Sequence, residues 1–77
     1  AFYVFVDISK TFGKKAHGME IKDSISFSQQ LLEKQRVAVV PGIGFGMDDY
    51  IRLSYATSME NIKEGLNRIE DFIKSLK

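Results

Sequence analysis

The chain has 77 residues, which suits one small domain with a thin core. At 44% hydrophobic and 27% charged residues, the composition is that of a globular protein and excludes disordered and fibrous classes. Eleven basic residues oppose ten acidic ones, a net charge of +1. No concentrated basic patch exists for nucleic acid or an anionic membrane, so we expect neither as a partner.

The chain has no cysteine, which excludes disulfides and thiolate chemistry. This composition is compatible with the cytoplasmic location that we expect. The apolar runs are strand-length and too short to span a bilayer. Residues 1–6 already form an apolar strand, without the lead-in that anchors a strand end and without the basic segment of a signal peptide. From this we expect a fragment of a longer protein.

Residues 2–8 are aromatic and β-branched, which predicts a strand. Tyr3 and Phe5 alternate with Val4 and Val6, so both faces are apolar and the sheet is expected to be covered on two sides. Residues 9–22 lack a sustained period and predict a loop.

A helix is predicted over residues 23–35, with Asp23 or Ser24 as the N-cap. Its apolar residues form two groups roughly 120° apart on the helix. These groups are Ile25 with Leu32, and Phe27 with Leu31. Two groups on different faces indicate contact with more than one surface.

Residues 37–40 predict a short strand that Pro41 ends, because proline removes a ladder donor. A glycine-rich turn over residues 41–49 follows, and its glycines permit positive φ. Neither the dinucleotide fingerprint nor the Walker spacing is present, and no helix opens directly after the turn, so a phosphate loop is not predicted.

Residues 50–56 predict the third strand, and Thr57 with Glu60 matches a capping box for the last helix. One apolar stripe predicts that helix, with spacings typical of a single buried face. The stripe is Ile62, Leu66, Ile69, Ile73 and Leu76. Glu64–Arg68 and Glu70–Lys74 are i,i+4 pairs in the favourable order.

The predicted order is therefore β-α-β-β-α. We expect an α+β fold of two layers, with two helices packed on a small mixed or antiparallel sheet. No repeat or linker divides the chain, so residues 1–77 are predicted to form a single domain.

Few side chains offer catalytic or metal chemistry. His17 is the one histidine, and without a second histidine or a cysteine it predicts an exposed loop residue and not a metal ligand. No serine lies in a nucleophile-elbow context. Asp48 and Asp49 lack further oxygen ligands and predict a solvated turn.

Arg52 lies inside the third predicted strand, on the face shared with Tyr50 and Ser54. One interpretation is a solvent-facing arginine on a half-exposed strand. The other is a guanidinium held at a cleft, where its fork takes a carboxylate with two parallel hydrogen bonds. Periodicity and composition do not choose between them.

Residues 37–58 resemble the C-terminal signature of class I aminotransferases, the fold-type-I pyridoxal-phosphate enzymes of the aspartate aminotransferase group. The resemblance rests on Pro-Gly-x-x-Phe-Gly followed, after four residues, by Ile-Arg-Leu-Ser-Tyr-Ala. It extends to the aromatic strand at residues 2–9 and to the loop Thr11-Phe12-Gly13-Lys14. Val6, Ile43 or Gly44, and Asp48–Asp49 depart from the family pattern and bear on the branch and the substrate.

The resemblance implies that Arg52 binds the α-carboxylate of the substrate, and that Phe45 lies near the cleft wall. From the residues themselves, a core position is the favoured interpretation of Phe45. It implies an amino-group transfer from an amino acid, aspartate or an aromatic one, to a 2-oxo acid through pyridoxal phosphate. It also implies a homodimeric parent enzyme, with the cofactor bound by a large domain that lies outside this chain.

No lysine in the chain stands in a context that resembles the family's cofactor-binding lysine, so we expect the chain alone to be inactive. Two alternatives stay open at this point. The parent could be another fold-type-I pyridoxal-phosphate protein, including an aminotransferase-like regulator, or the chain could be a stand-alone α+β interaction module. Exposure of Tyr3 and Phe5 as a patch argues against the free module.

Overall fold

The computed structural model describes residues 2–55 and 59–77. Short 3-10 turns occur at Ser9–Thr11 and Gly42–Phe45. The strands and α-helices, in chain order, are β1 (Phe2–Asp7), β2 (Lys15–Ala16), β3 (Met19–Glu20), α1 (Ser24–Gln35), β4 (Val40–Pro41), β5 (Tyr50–Tyr55) and α2 (Met59–Ser75). Of the helices in the described ranges, neither has the length and apolar content that crossing a membrane would need.

The main sheet has three antiparallel strands in the order β1-β5-β4, so β5 is central. Arg52 in the middle of β5 lies opposite Phe5 on one side and Val40 on the other. Strands β2 and β3 form a separate antiparallel hairpin. The predicted α+β class and the two helices on a small antiparallel sheet are confirmed.

The core lies between one face of the sheet and the two helices. Phe27 of α1 and Phe72 of α2 meet edge to face, with ring centroids 5.2 Å apart, an arrangement that stabilises aromatic pairs beyond their buried area. Other side chains with almost no exposure surround them, among them Ile8, Ile21, Leu31, Ile51 and Leu53.

Helix α1 begins and ends with local hydrogen bonds that its sequence supplies. The Ser26 backbone N–H donates to the Asp23 carboxylate at 2.8 Å, and the Ser26 hydroxyl lies 3.1 Å from the Asp23 backbone nitrogen, which completes a capping box. These bonds hold the pKa of Asp23 below its ordinary value. At the other end, Arg36 adopts the left-handed conformation and its N–H donates to Leu32 O.

Both helices lie close to their predicted positions. Phe27 and Leu31 are buried, whereas Ile25 and Leu32 are 42% and 50% exposed, so the two apolar groups do face different surroundings. Both predicted ion pairs on α2 form, at 3.0 and 2.9 Å. The stripe is buried or partly buried along its length, and Phe72 joins it. The predicted capping-box residue Thr57 lies outside the described residues.

Two predictions of local elements were wrong. The loop expected over residues 9–22 contains a 3-10 turn and the β2–β3 hairpin. The strand expected over residues 37–40 is confined to Val40–Pro41, so Pro41 lies inside the ladder and does not end it. A proline is tolerated there because β4 is an edge strand.

The turn after β4 depends on close packing of backbone at Gly42. Met47 N–H donates to Gly42 O at 2.8 Å, and Tyr50 N–H donates to Met47 O at 3.0 Å, which leads the chain directly into β5. A Cβ at Gly42 would overlap the carbonyl oxygens of Met47 and Tyr50. In this turn Gly46 adopts the positive φ that glycine permits, whereas Gly42 is needed for the close approach of backbone.

A polar contact ties this turn to α1. The buried hydroxyl and backbone N–H of Ser24 both donate to Asp48 Oδ1, at 2.7 and 3.0 Å. The Ser24 hydroxyl also accepts from Ile43 N–H at 3.1 Å. Asp48 therefore caps the first turn of α1 and is not the solvated residue that the sequence predicted, whereas Asp49 is exposed.

We predict that Gly42→Ala destabilises the protein by about 1–3 kcal/mol or more, because the added methyl group would meet backbone that cannot move aside. Gly44→Ala is the matched control, since nothing lies within 4 Å of a Cβ at that position. Urea unfolding measures both. Equal stability of the two variants would contradict the close-approach role of Gly42.

We predict that Asp48→Ala costs about 1–3 kcal/mol, because it removes the acceptor of the buried Ser24 hydroxyl and of an end-of-helix N–H. The neighbouring Asp49→Ala is the control and should stay within about 0.5 kcal/mol of the wild type. Thermal or urea unfolding of both variants makes the comparison. A loss at Asp49 as large as that at Asp48 would contradict the capping role.

Candidate functional site

Arg52 lies on the face of β5 that points away from the helices. Ile51 and Leu53, its neighbours in sequence, are 0% and 1% exposed and pack into the core. Because side chains alternate along a strand, Arg52 must point to the opposite face. Phe5, its antiparallel partner on β1, shares that face, and Tyr3 lies on the same face one diagonal step away.

Two aromatic rings lie beside the guanidinium. Arg52 Cζ lies 4.8 Å from the centroid of the Tyr3 ring and 5.7 Å from that of Phe45. Both distances fall within the range of cation–π attraction. Phe5 and Phe45 meet edge to face, with centroids 5.7 Å apart and planes at 80°. We call Tyr3, Phe5, Phe45 and Arg52 the arginine cluster.

The charge of Arg52 has no carboxylate partner within 4 Å among the described residues. The two ion pairs found there, Glu64–Arg68 and Glu70–Lys74, both lie on α2. Arg52 is half-buried, and its Nε is fully buried without a hydrogen-bond partner. A buried N–H of a charged group is costly to leave unpaired. The charge of Arg52 is therefore not neutralised by any described carboxylate, which suits an anionic ligand.

Phe45 is half-buried beside Arg52 and Phe5, and it does not belong to the core cluster. Its place follows from the turn at Gly42, because the 3-10 segment Gly42–Phe45 carries the ring over the sheet face next to β1. The core position that the sequence favoured for Phe45 is therefore wrong.

The remaining polar candidates lie elsewhere. His17 is exposed on the β2–β3 hairpin, as predicted, and with Lys15 and Lys77 lines a shallow cavity of about 350 Å³. Asp48 is occupied by Ser24. Within residues 2–55 and 59–77, no group of histidine, cysteine and acidic side chains could hold a metal ion.

Sequence reasoning missed the contribution of Tyr3 and Phe5 to this cluster. The alternation in β1 places both residues on the face opposite Val4 and Val6. It does not say which strand pairs with β1, and the partner lies about fifty positions further along the chain. Knowledge of the β1–β5 pairing would have been sufficient to find the cluster.

The chain is similar to known proteins both in sequence and in fold. The family model described as "Aminotransferase class I and II" matches residues 1–69. A probable aspartate/prephenate aminotransferase of Rickettsia typhi is 51% identical over 77 residues, which covers 99% of this chain and 19% of that protein.

Two crystal structures share the fold. The aspartate aminotransferase from Rhizobium meliloti matches with a TM-score of 0.89 at 42% identity, covering 100% of this chain and 20% of its own. The aspartate aminotransferase from Thermotoga maritima matches with a TM-score of 0.72 at 40% identity, covering 97% and 17%. The chain thus spans about a fifth of the length of these relatives.

Proposed function

The chain belongs to the class I and II aminotransferase family, and from this membership we propose that it forms the C-terminal part of the small domain of an amino-acid aminotransferase. In this proposal Arg52 binds the α-carboxylate of the amino-acid and 2-oxo-acid substrates. The observation that carries the proposal is a half-buried guanidinium without a carboxylate partner among the described residues.

The geometry of the cluster suits a carboxylate ligand. The guanidinium is planar and offers parallel N–H donors that match the two oxygens of a carboxylate. Arg52 belongs to the central strand of the sheet. The backbone of this strand is paired on both sides, so the backbone of Arg52 is held in place. A fixed fork orients the bound substrate, which lowers the entropic part of the barrier.

Pyridoxal phosphate, in such enzymes, withdraws electrons from the substrate carbon next to the amino group. The residues of this chain do not fit a cofactor site, because every one of the eight lysines is exposed to solvent. A lysine that binds this cofactor lies inside a site where its basicity is lowered. In the proposal, the cofactor is held by a large domain and this chain supplies the grip on the substrate.

We propose aspartate as an amino donor, since the matched relatives from Rickettsia typhi and Rhizobium meliloti are named for aspartate. The Rickettsia typhi relative is named for prephenate as well. Tyr3 and Phe5 are 56% and 53% exposed, which suits contact with further parts of the enzyme around the cleft. We further propose that the whole enzyme is a homodimer in the cytoplasm.

We predict that Arg52→Ala in the full-length enzyme raises KM for the amino donor. The fall in kcat/KM should correspond to a loss of roughly 3–5 kcal/mol of transition-state stabilisation, the scale of a lost charge pair. Arg52→Lys keeps the charge but loses the fork, so we expect a smaller loss of about 1.5–3 kcal/mol. Steady-state kinetics at fixed pH and ionic strength measure both variants.

Arg36→Lys is the control for Arg52→Lys, because Arg36 is an exposed arginine at the C-terminal end of α1. Its kinetics should equal those of the wild type. Unchanged KM and kcat/KM in both Arg52 variants would overturn the substrate-binding role.

We also predict that the isolated 77-residue chain shows no transaminase activity and no absorbance band of bound cofactor after addition of pyridoxal phosphate. The absorbance spectrum is recorded after removal of free cofactor by gel filtration. The full-length enzyme treated in the same way is the positive control. A retained band on the isolated chain would mean that this chain holds the cofactor itself.

A further inference from the structure

In the arginine cluster, aromatic rings lie against the guanidinium of Arg52. Tyr3 and Phe45 both lie within cation–π distance of Arg52 Cζ, at 4.8 and 5.7 Å. Among the described residues no carboxylate pairs with Arg52, and its Nε makes no hydrogen bond. Among the described residues, the contacts that hold the guanidinium plane are therefore aromatic.

We propose that Tyr3 is a positioning residue for substrate binding, whose ring holds the Arg52 guanidinium in place while leaving its N–H donors to the ligand. Phe5 acts one step further out, because it contacts Phe45 edge to face at 5.7 Å. This inference rests on the proposed role of Arg52 and adds the residues that set its orientation.

A ring suits this task better than an acidic side chain. A carboxylate beside Arg52 would take the same donors that a substrate carboxylate needs, and would compete with it. An aromatic face attracts the cation through its quadrupole and takes no N–H donor along the guanidinium edge. The attraction strengthens when water leaves the site, so the ring contributes most once the ligand is bound.

The location of Tyr3 suits an indirect role. Tyr3 pairs with Ser54 in the register, so it reaches Arg52 diagonally across two strands whose backbones are hydrogen-bonded. More than half of the Tyr3 side chain is exposed, at 56%. The ring lies outside the core cluster, so Tyr3→Leu leaves the core of this chain intact, and Tyr3→Phe keeps the contacts of the ring with other parts of the enzyme.

The test uses the full-length enzyme with its cofactor and measures the dissociation constant of succinate, a dicarboxylate that cannot donate an amino group. Tyr3→Leu should weaken succinate about fivefold to thirtyfold, or about 1–2 kcal/mol at 1.4 kcal/mol per factor of ten. Tyr3→Phe keeps the ring and should bind within about twofold of the wild type. Met19→Leu, at an exposed residue of the hairpin, is the control and should change nothing.

Fluorinated phenylalanines at position 3 test the ring electronics at constant shape. Each added fluorine weakens the quadrupole, so the dissociation constant should rise stepwise from that of Tyr3→Phe. These variants keep the size of the ring and remain informative if Tyr3→Leu does not fold. A flat series would overturn the cation–π role.

A double variant separates positioning from direct contact. In the Arg52→Ala background, Tyr3→Leu should change succinate binding by at most about twofold, since the ring would then have no cation to hold. An undiminished loss there, or a Tyr3→Phe as weak as Tyr3→Leu, would mean that Tyr3 contacts the ligand itself. Wild-type binding in Tyr3→Leu, with weak binding in Arg52→Ala, would overturn this inference alone. Wild-type binding in Arg52→Ala would overturn the proposed function.

Discussion

Strand β5 is hydrogen-bonded along both edges, to β1 and to β4, and this pairing holds the backbone of Arg52 in place. The alternation of side chains gives its two faces opposite characters. Ile51 and Leu53 are buried in the core against the helices, while Arg52 between them points to the other face. Burial of the first two residues thus fixes the direction of the third. A cation can be held half-buried because the strand that carries it is anchored by apolar contacts behind it.

The turn before β5 connects helix packing to the same site. Gly42 lets the chain pass close to the backbone of Met47 and Tyr50, and the segment that follows carries Phe45 to Arg52. Asp48 in that turn accepts two hydrogen bonds from Ser24 at the start of α1. The position of the Phe45 ring is therefore set by the same contacts that dock the first helix. A change at the turn would reach the arginine cluster without touching Arg52.

Much of the fold could be predicted because its signals are local. The stripe of α2 and the N-cap at Asp23 each depend on residues within a few positions of one another. Pro41 within β4 and the short β2–β3 hairpin could not be predicted, because two-residue strands carry no period and depend on distant partners. For Arg52 the sequence alone left two interpretations, and only the family resemblance favoured one. The rings around it required the β1–β5 register, which no local pattern contains.

A structure of the full-length enzyme with its cofactor and succinate would locate the ligand carboxylate relative to Arg52. We expect two parallel hydrogen bonds from the guanidinium to one carboxylate group, with N···O distances of about 2.7–2.9 Å. We also expect the Tyr3 ring to stay within about 6 Å of Arg52 Cζ. A carboxylate bound by other residues, with Arg52 left in solvent, would show that Arg52 does not bind the substrate.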